Sequence, residues 1–242
     1  MRILLLGEYS NFHSTLKTGL EKNGHRALLS GRKDGFKGFK LDISLEPKLF
    51  EIYPFRKLKN LIYLLFKFDI SCFEVLYNFY KNKNHFKGYD FVQLINEFPL
   101  KTTPCFDTLI LKFIFKHNKK VILSACGDDV TYINYVLSSN LPHHVLTPFQ
   151  ENPKMKPYFK HSLNYLKPAH KKLSAFVKKN VSQIIPGDYD YEMAYQKQPK
   201  VKPLIPFPAN IDKIKFTPLD VSGKIKIFHG INRINYYKKG NN

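Results

Sequence analysis

Apolar residues along this chain come in short unbroken runs separated by stretches with a helical period. Residues 2–6, RILLL, carry no polar alternation, which predicts a parallel strand covered on both faces. Polar loop residues follow, then a helical stretch from about Ser14 to Asn23, with Gly24 where a helix C-cap belongs, and a second apolar run, RALLS. This strand, helix, strand unit is the building block of a doubly wound sheet. The runs DFVQLI (90–95) and KVILSA (120–125) read as further buried strands around a helical CFDTLILKFIFKHN (105–118). Beyond them a helical AHKKLSAFVKKN (169–180) precedes two more strand-like runs, SQIIPG (182–187) and KPLIPFP (202–208). Strands alternating with helices predict an α/β fold, a Rossmann-like, mostly parallel sheet with helices on both faces.

Two segments break that rhythm. From Arg56 to Tyr80 the chain is rich in large apolar residues, and Leu58, Leu61, Ile62, Leu65 and Phe68 keep helical spacing with Lys57, Lys59 and Lys67 among them. Such a helix either packs on the sheet or lies as a basic amphipathic surface on anionic lipid. The stretch 146–170 holds four prolines and several lysines, and reads as an irregular excursion beside the cleft or as a long loop.

Composition narrows the partners. The 242 residues carry 39 Lys and Arg against 19 Asp and Glu, a formal charge of +20, which draws polyanions: anionic head groups, nucleotide phosphates or nucleic acid. Abundant Lys, Asn, Ile, Phe and Tyr are also what an A/T-rich coding sequence produces. No nucleic-acid module is recognisable, neither an RNP-type aromatic motif nor zinc-finger spacing nor a basic zipper, so no specific nucleic-acid partner is expected. Cys72, Cys105 and Cys126 are too scattered for a C-x-x-C pair or a closed disulfide framework. Only four apolar residues precede Gly7, too few for a signal-peptide core, and the longest stretch without charged residues, 130–150, is broken by Asn134, Pro142 and two histidines. The expectation is a cytoplasmic protein without a transmembrane helix.

Candidate chemistry sits where strands end, because ligands of open α/β sheets collect at the carboxyl edge. The first loop, GEYSNFHST (7–15), keeps Gly7 and Glu8 but lacks G-x-G-x-x-G, which speaks against a nicotinamide or flavin enzyme. His13 there could face an acceptor hydroxyl as a base near neutral pH, or be a capping-region histidine. In SACGDD (124–129) Asp128 and Asp129 could hydrogen-bond sugar hydroxyls or serve as a base, and could equally cap the next helix. The Asp188-x-Asp190 of GDYDYE reads as turn and helix-start chemistry rather than as a metal-binding D-x-D. The Cys and His residues show no metal-site spacing, and neither a G-x-S-x-G elbow nor a Walker A loop occurs. Near the C-terminus, KIKIFHG reads as an opening strand, after which Arg233 and Lys239, a planar fork and a mobile point charge, could converge on a diphosphate; a basic tail is the alternative.

The chain as a whole resembles the N-terminal half of a GT-B glycosyltransferase of the family 4 (group 1) type. The carriers are the opening MRILLLGEYSNFHSTLKTGLEKNGHRALL, the hinge-like PFPANID, and IFHGINRINYYKKGN, similar to the strand, H-G, x-x-x-R and K-G at the head of that family's donor domain. The resemblance implies an acceptor-binding domain at 1–201, a hinge at 202–222 and the start of an incomplete donor domain at 223–242, so that the chain looks truncated. It further implies a nucleotide sugar as donor substrate without cofactor or obligatory metal, Arg233 and Lys239 on its diphosphate, and His13 or Asp128 on the acceptor hydroxyl. Gly7, Glu8 and Asp129 would line the acceptor side. The acceptor would be lipid-linked or polysaccharide, met at the inner face of the membrane during cell-envelope glycan synthesis. A non-catalytic fragment that binds acceptor, anionic membrane or another polyanion is the alternative reading.

Overall fold

A computed structural model describes residues 1–33, 38–218, 222–224 and 236–239, without the side chains of Lys213 and Lys239. Its centre is a six-stranded, all-parallel sheet in the order β3-β2-β1-β4-β5-β6. The strands are β1 (Arg2–Leu6), β2 (Arg26–Gly31), β3 (Ile43–Ser44), β4 (Phe91–Leu94), β5 (Lys120–Ala125) and β6 (Gln183–Pro186). This is the doubly wound α/β order, whose chain reverses direction between β1 and β4.

Register explains why the strand sequences are apolar throughout. Leu4 pairs with Val92, and Val92 with Val121, so one row of side chains crosses three strands on a single face. Helices α3 (Cys72–Lys81), α4 (Pro104–His117) and α8 (Pro168–Asn180) contribute Val75, Phe79, Ile110, Leu111, Ile114, Leu173 and Val177 to the same core cluster. On the other face Ile3, Leu5 and Leu29 pack against Leu16 and Leu20 of α1 (Phe12–Lys22). With both faces covered, Leu4, Leu5 and Leu6 are all fully buried, each stabilising the fold by about 2 kcal/mol.

Local signals set the helix ends. Gly24 takes a left-handed φ of 75° after α1, with its N–H on the Glu21 carbonyl and the His25 N–H on that of Leu20, the paired bonds of a Schellman stop. Thr103 caps α4, Asp129 caps α5 (Val130–Ser138), and Asp188 caps α9 (Tyr189–Tyr195). The helix-start reading of GDYDYE is therefore the one observed.

Three expectations needed revision. The stretch 56–80 is two helices, not one: α2 (Phe55–Phe66) ends at Lys67 in a left-handed conformation, and α3 starts anew at Cys72. Packing on the sheet holds only for α3, since none of the α2 residues is buried. Residues 202–208 do not form a strand: Val201 bridges Ile184, the Lys202 and Ile205 N–H groups reach the Ile184 and Pro186 carbonyls, and Pro203, Pro206 and Pro208 have no N–H with which to continue. The excursion 146–170 is built from short helical turns, including α6 (Thr147–Glu151) and α7 (Lys160–Leu163), and brings Ser162, Tyr165 and His170 to the carboxyl edge.

Candidate functional site at the carboxyl edge

The loops that follow β1, β4 and β5 meet at the carboxyl ends of these strands, beside the reversal of strand order. Gly7 turns the chain at φ 89°, where a Cβ would lie 2.3 Å from Ile95 Cγ2 and 2.8 Å from the Pro99 carbonyl, so only glycine lets the β1 and β4 loops approach this closely. Asn96, fully buried, ties the β4 loop to the β5 loop: its Nδ2 donates to the Cys126 and Asp128 carbonyls at 2.7 and 3.2 Å, and its Oδ1 accepts from the Phe98 N–H.

The sequence candidates at this edge have distinct environments. Glu8 is buried and its two oxygens accept from the His13 and Ser14 N–H groups, so it caps α1 in place of Asn11, whose side chain makes no capping bond. Burial nonetheless holds its carboxyl above the usual range. His13 has no exposed face; its Nδ1 donates to the Gly7 carbonyl at 2.7 Å while Nε2 has no partner, and burial lowers the imidazole to about 4. Contact between His13 and an acceptor hydroxyl is thus not available in this conformation, because the ring is fully buried and its Nδ1 is taken by the Gly7 carbonyl. Asp129 accepts from the Tyr132 N–H at 2.7 Å and from the Tyr195 hydroxyl at 2.8 Å, and is buried; of the two readings its sequence allowed, capping is the one seen.

Glu97, which sequence reasoning passed over, lies beside Asp129. Its Oε1 accepts from the Val130 N–H at 2.8 Å, and Ser174 lies beside the carboxyl. Burial, and then the neighbouring Asp129, push the Glu97 carboxyl up to about 8, so it holds a proton at neutral pH. Burial raises Asp129 to about 6.

Asp128 joins two segments distant in sequence through its side chain. Lys238 Nζ lies 3.0 and 2.7 Å from its two oxygens, and Ser162 Oγ donates to Oδ2 at 2.6 Å while accepting from Lys238 at 3.0 Å. Tyr237 adds an edge-on contact with Tyr158, ring centres 4.7 Å apart. A closed Asp, Ser and Lys set therefore links the β5 loop, α7 and the 236–239 turn. Arg233 and the Lys239 side chain lie outside the described residues.

Next to this set is a cavity of about 320 Å³ bounded by Phe98, Tyr165, His161, His170, Lys67 and Lys167. A larger groove of about 750 Å³ shares Asn164 and Lys167 with it but has mainly apolar walls, Leu137, Phe149, Leu163 and Leu166, and contains none of the carboxyl-edge side chains. Among the described residues no three His, Cys, Asp or Glu side chains are grouped so as to hold a metal ion.

No protein-family model matches the chain, and no curated protein sequence matches it well enough to name a relative.

Proposed function

We propose that these residues form the acceptor-side unit of a sugar transferase that uses a nucleotide sugar and acts on a lipid-linked or polysaccharide acceptor at an anionic membrane face. The observation that supports this reading most is the meeting of Lys238 with Asp128. A cation from the stretch expected to hold a diphosphate reaches a carboxylate at the edge where an acceptor would bind. In the reaction, the acceptor oxygen bonds to the anomeric carbon, the bond from that carbon to the diphosphate oxygen breaks, and the acceptor proton passes to the Asp128 carboxylate. Arg233 and Lys239 would take up the charge gained by the departing diphosphate. A phosphate that draws Lys238 away would free the Asp128 oxygens for the hydroxyl.

The membrane part of the proposal rests on α2. Leu61, Leu64, Leu65 and Phe66 are 53, 66, 64 and 73% exposed, with Arg56, Lys57 and Lys59 on the same helix. Apolar side chains beside basic ones fit a surface lying on anionic lipid. No described helix is long and apolar enough to cross a membrane.

Saturation-transfer NMR with a panel of sugar nucleotides tests the transferase reading. Saturable transfer to one nucleotide sugar, weakened at least about tenfold by Arg233→Ala or Lys239→Ala, is expected. A second reading, binding of acceptor or anionic membrane without transfer, is favoured by the internal bonds that occupy Glu8, Asp128 and Asp129. It predicts vesicle binding with no transfer to any sugar nucleotide.

A further inference from the structure

The cavity beside Asp128 has a composition that its role as a neighbour of the acceptor edge does not explain. Its titratable lining is entirely basic or phenolic: Lys67, Lys167, His161, His170 and Tyr165, with no carboxylate among the lining residues. One helix also begins at its wall without a side-chain cap: Lys167 and Ala169 belong to the start of the 13-residue α8, whose cap residue Lys167 supplies no side-chain bond to the helix, whereas the start of α4 is closed by Thr103 and by the Asp107 carboxyl. Helix starts direct N–H groups and the positive end of the backbone dipole outward. The histidines are held in place by aromatic contacts, His170 against Phe98 and Tyr165 at 5.0 Å each and His161 against Tyr165 at 6.0 Å.

From these groups we infer that the cavity binds a phosphate ester, with Lys67 and Lys167 as point charges at its rim and the His161 and His170 rings as donors. The volume, about 320 Å³, admits a phosphate with a small substituent. Lys67 connects the cavity to the exposed helix, because it is the left-handed residue that terminates α2. A phosphate attached to a lipid on the α2 side therefore has a path from that surface to the carboxyl edge. This deepens the proposed function by assigning a phosphate to the acceptor, but the site is testable without any sugar transfer.

The surroundings of both histidines disfavour their charged form. Partial burial lowers His170, with Lys167 and His161 adding to the effect; partial burial lowers His161 too, opposed by Asp128 and assisted by Lys238 and Lys101. A bound phosphate dianion supplies the missing negative charge.

The test is a titration of the intact chain with inorganic phosphate, glycerol phosphate and phosphatidic acid vesicles, at constant ionic strength, observing the histidine ring resonances by NMR. Saturable shifts of His161 and His170, with an upward move of their titration midpoints, are expected, and Lys67→Ala with Lys167→Ala should weaken binding at least about tenfold. Both lysines are exposed, so the double variant should fold, which circular dichroism verifies. Shifts with the soluble esters identify a free phosphate as sufficient, and shifts with phosphatidic acid vesicles alone, not with phosphatidylcholine, identify a lipid headgroup. Equal shifts with chloride, no saturable shift with any phosphate, or unchanged affinity in the double variant would overturn the site. Sugar-nucleotide binding is read separately: its loss with phosphate binding intact removes only the transferase reading.

Discussion

Helices α2 and α3 come from one stretch of similar composition yet differ completely in environment. Helix α3 buries Cys72, Val75 and Phe79, the last with its ring against Phe86 and Phe113 at 4.8 and 5.5 Å. Helix α2 buries nothing, and its main neighbour is the short turn Leu49–Glu51, with Lys59 paired to Glu51. Large apolar residues at helical spacing thus specify an amphipathic helix but not what its apolar face meets. Whether that face joins the core depends on how the chain enters the sheet: α3 lies against α4, whereas α2 is set apart by the reversal at Lys67.

The contrast is broken most strongly by truncating one ring in each helix. Phe79→Ala should lower the free energy of unfolding by about 3–5 kcal/mol, whereas Phe66→Ala should stay within about 0.5 kcal/mol, both read from denaturant titration. Equal costs would mean that α2 is packed in solution. The opposite ranking is expected for lipid. Leu64→Glu with Leu65→Glu should reduce partition onto anionic vesicles at least about 100-fold, while Phe79 is out of reach of any bilayer.

The buried polar side can be sharpened by pH. A carboxyl raised to about 8 binds its proton in the folded chain where the unfolded chain has released it, so stability falls as pH rises between about 4.5 and 8. Asp107 and Asp129, raised to about 6, act in the same direction only below that value, and His13, lowered to about 4, acts oppositely below its ordinary value of 6.5. From pH 6.5 to 8 the slope therefore belongs mainly to Glu97, at most about 1.4 kcal/mol per pH unit. Glu97→Gln should flatten it; an unchanged slope would show that Glu97 is ionised throughout. The smallest effect is expected at the ion pair. Asp128→Asn should cost about 1 kcal/mol or less while speeding hydrogen exchange in residues 236–239, and unaltered exchange there would show that Lys238 does not depend on Asp128.

Much of the fold was legible because parallel strands with both faces covered leave unbroken apolar runs, and because Gly24 and Asp188 mark helix ends by local chemistry. β3 was not, since two residues, Ile43 and Ser44, are too short to give a period. At the site, position along the chain led to Asp128 and Asp129, but their different roles depend on tertiary partners, Lys238 for one and Tyr195 for the other. Ser162, Asn96 and Glu97 carried no signal: a serine in a lysine-rich segment and an Asn-Glu pair after a strand are common, and their place at this edge comes from burial against loops far away in sequence. The two adjacent lysines 238 and 239 are indistinguishable by pattern, and the contact at Asp128 falls to Lys238.

That the α2 face meets a bilayer is tested most directly by fluorescence, because the chain contains no tryptophan. Phe66→Trp places a single indole on the most exposed ring of α2. On adding phosphatidylglycerol vesicles its emission should move to the blue and be quenched by brominated acyl chains, with the effect reduced by salt. An emission maximum that stays at its aqueous wavelength, with no quenching by brominated lipid, would contradict the membrane-facing role of α2.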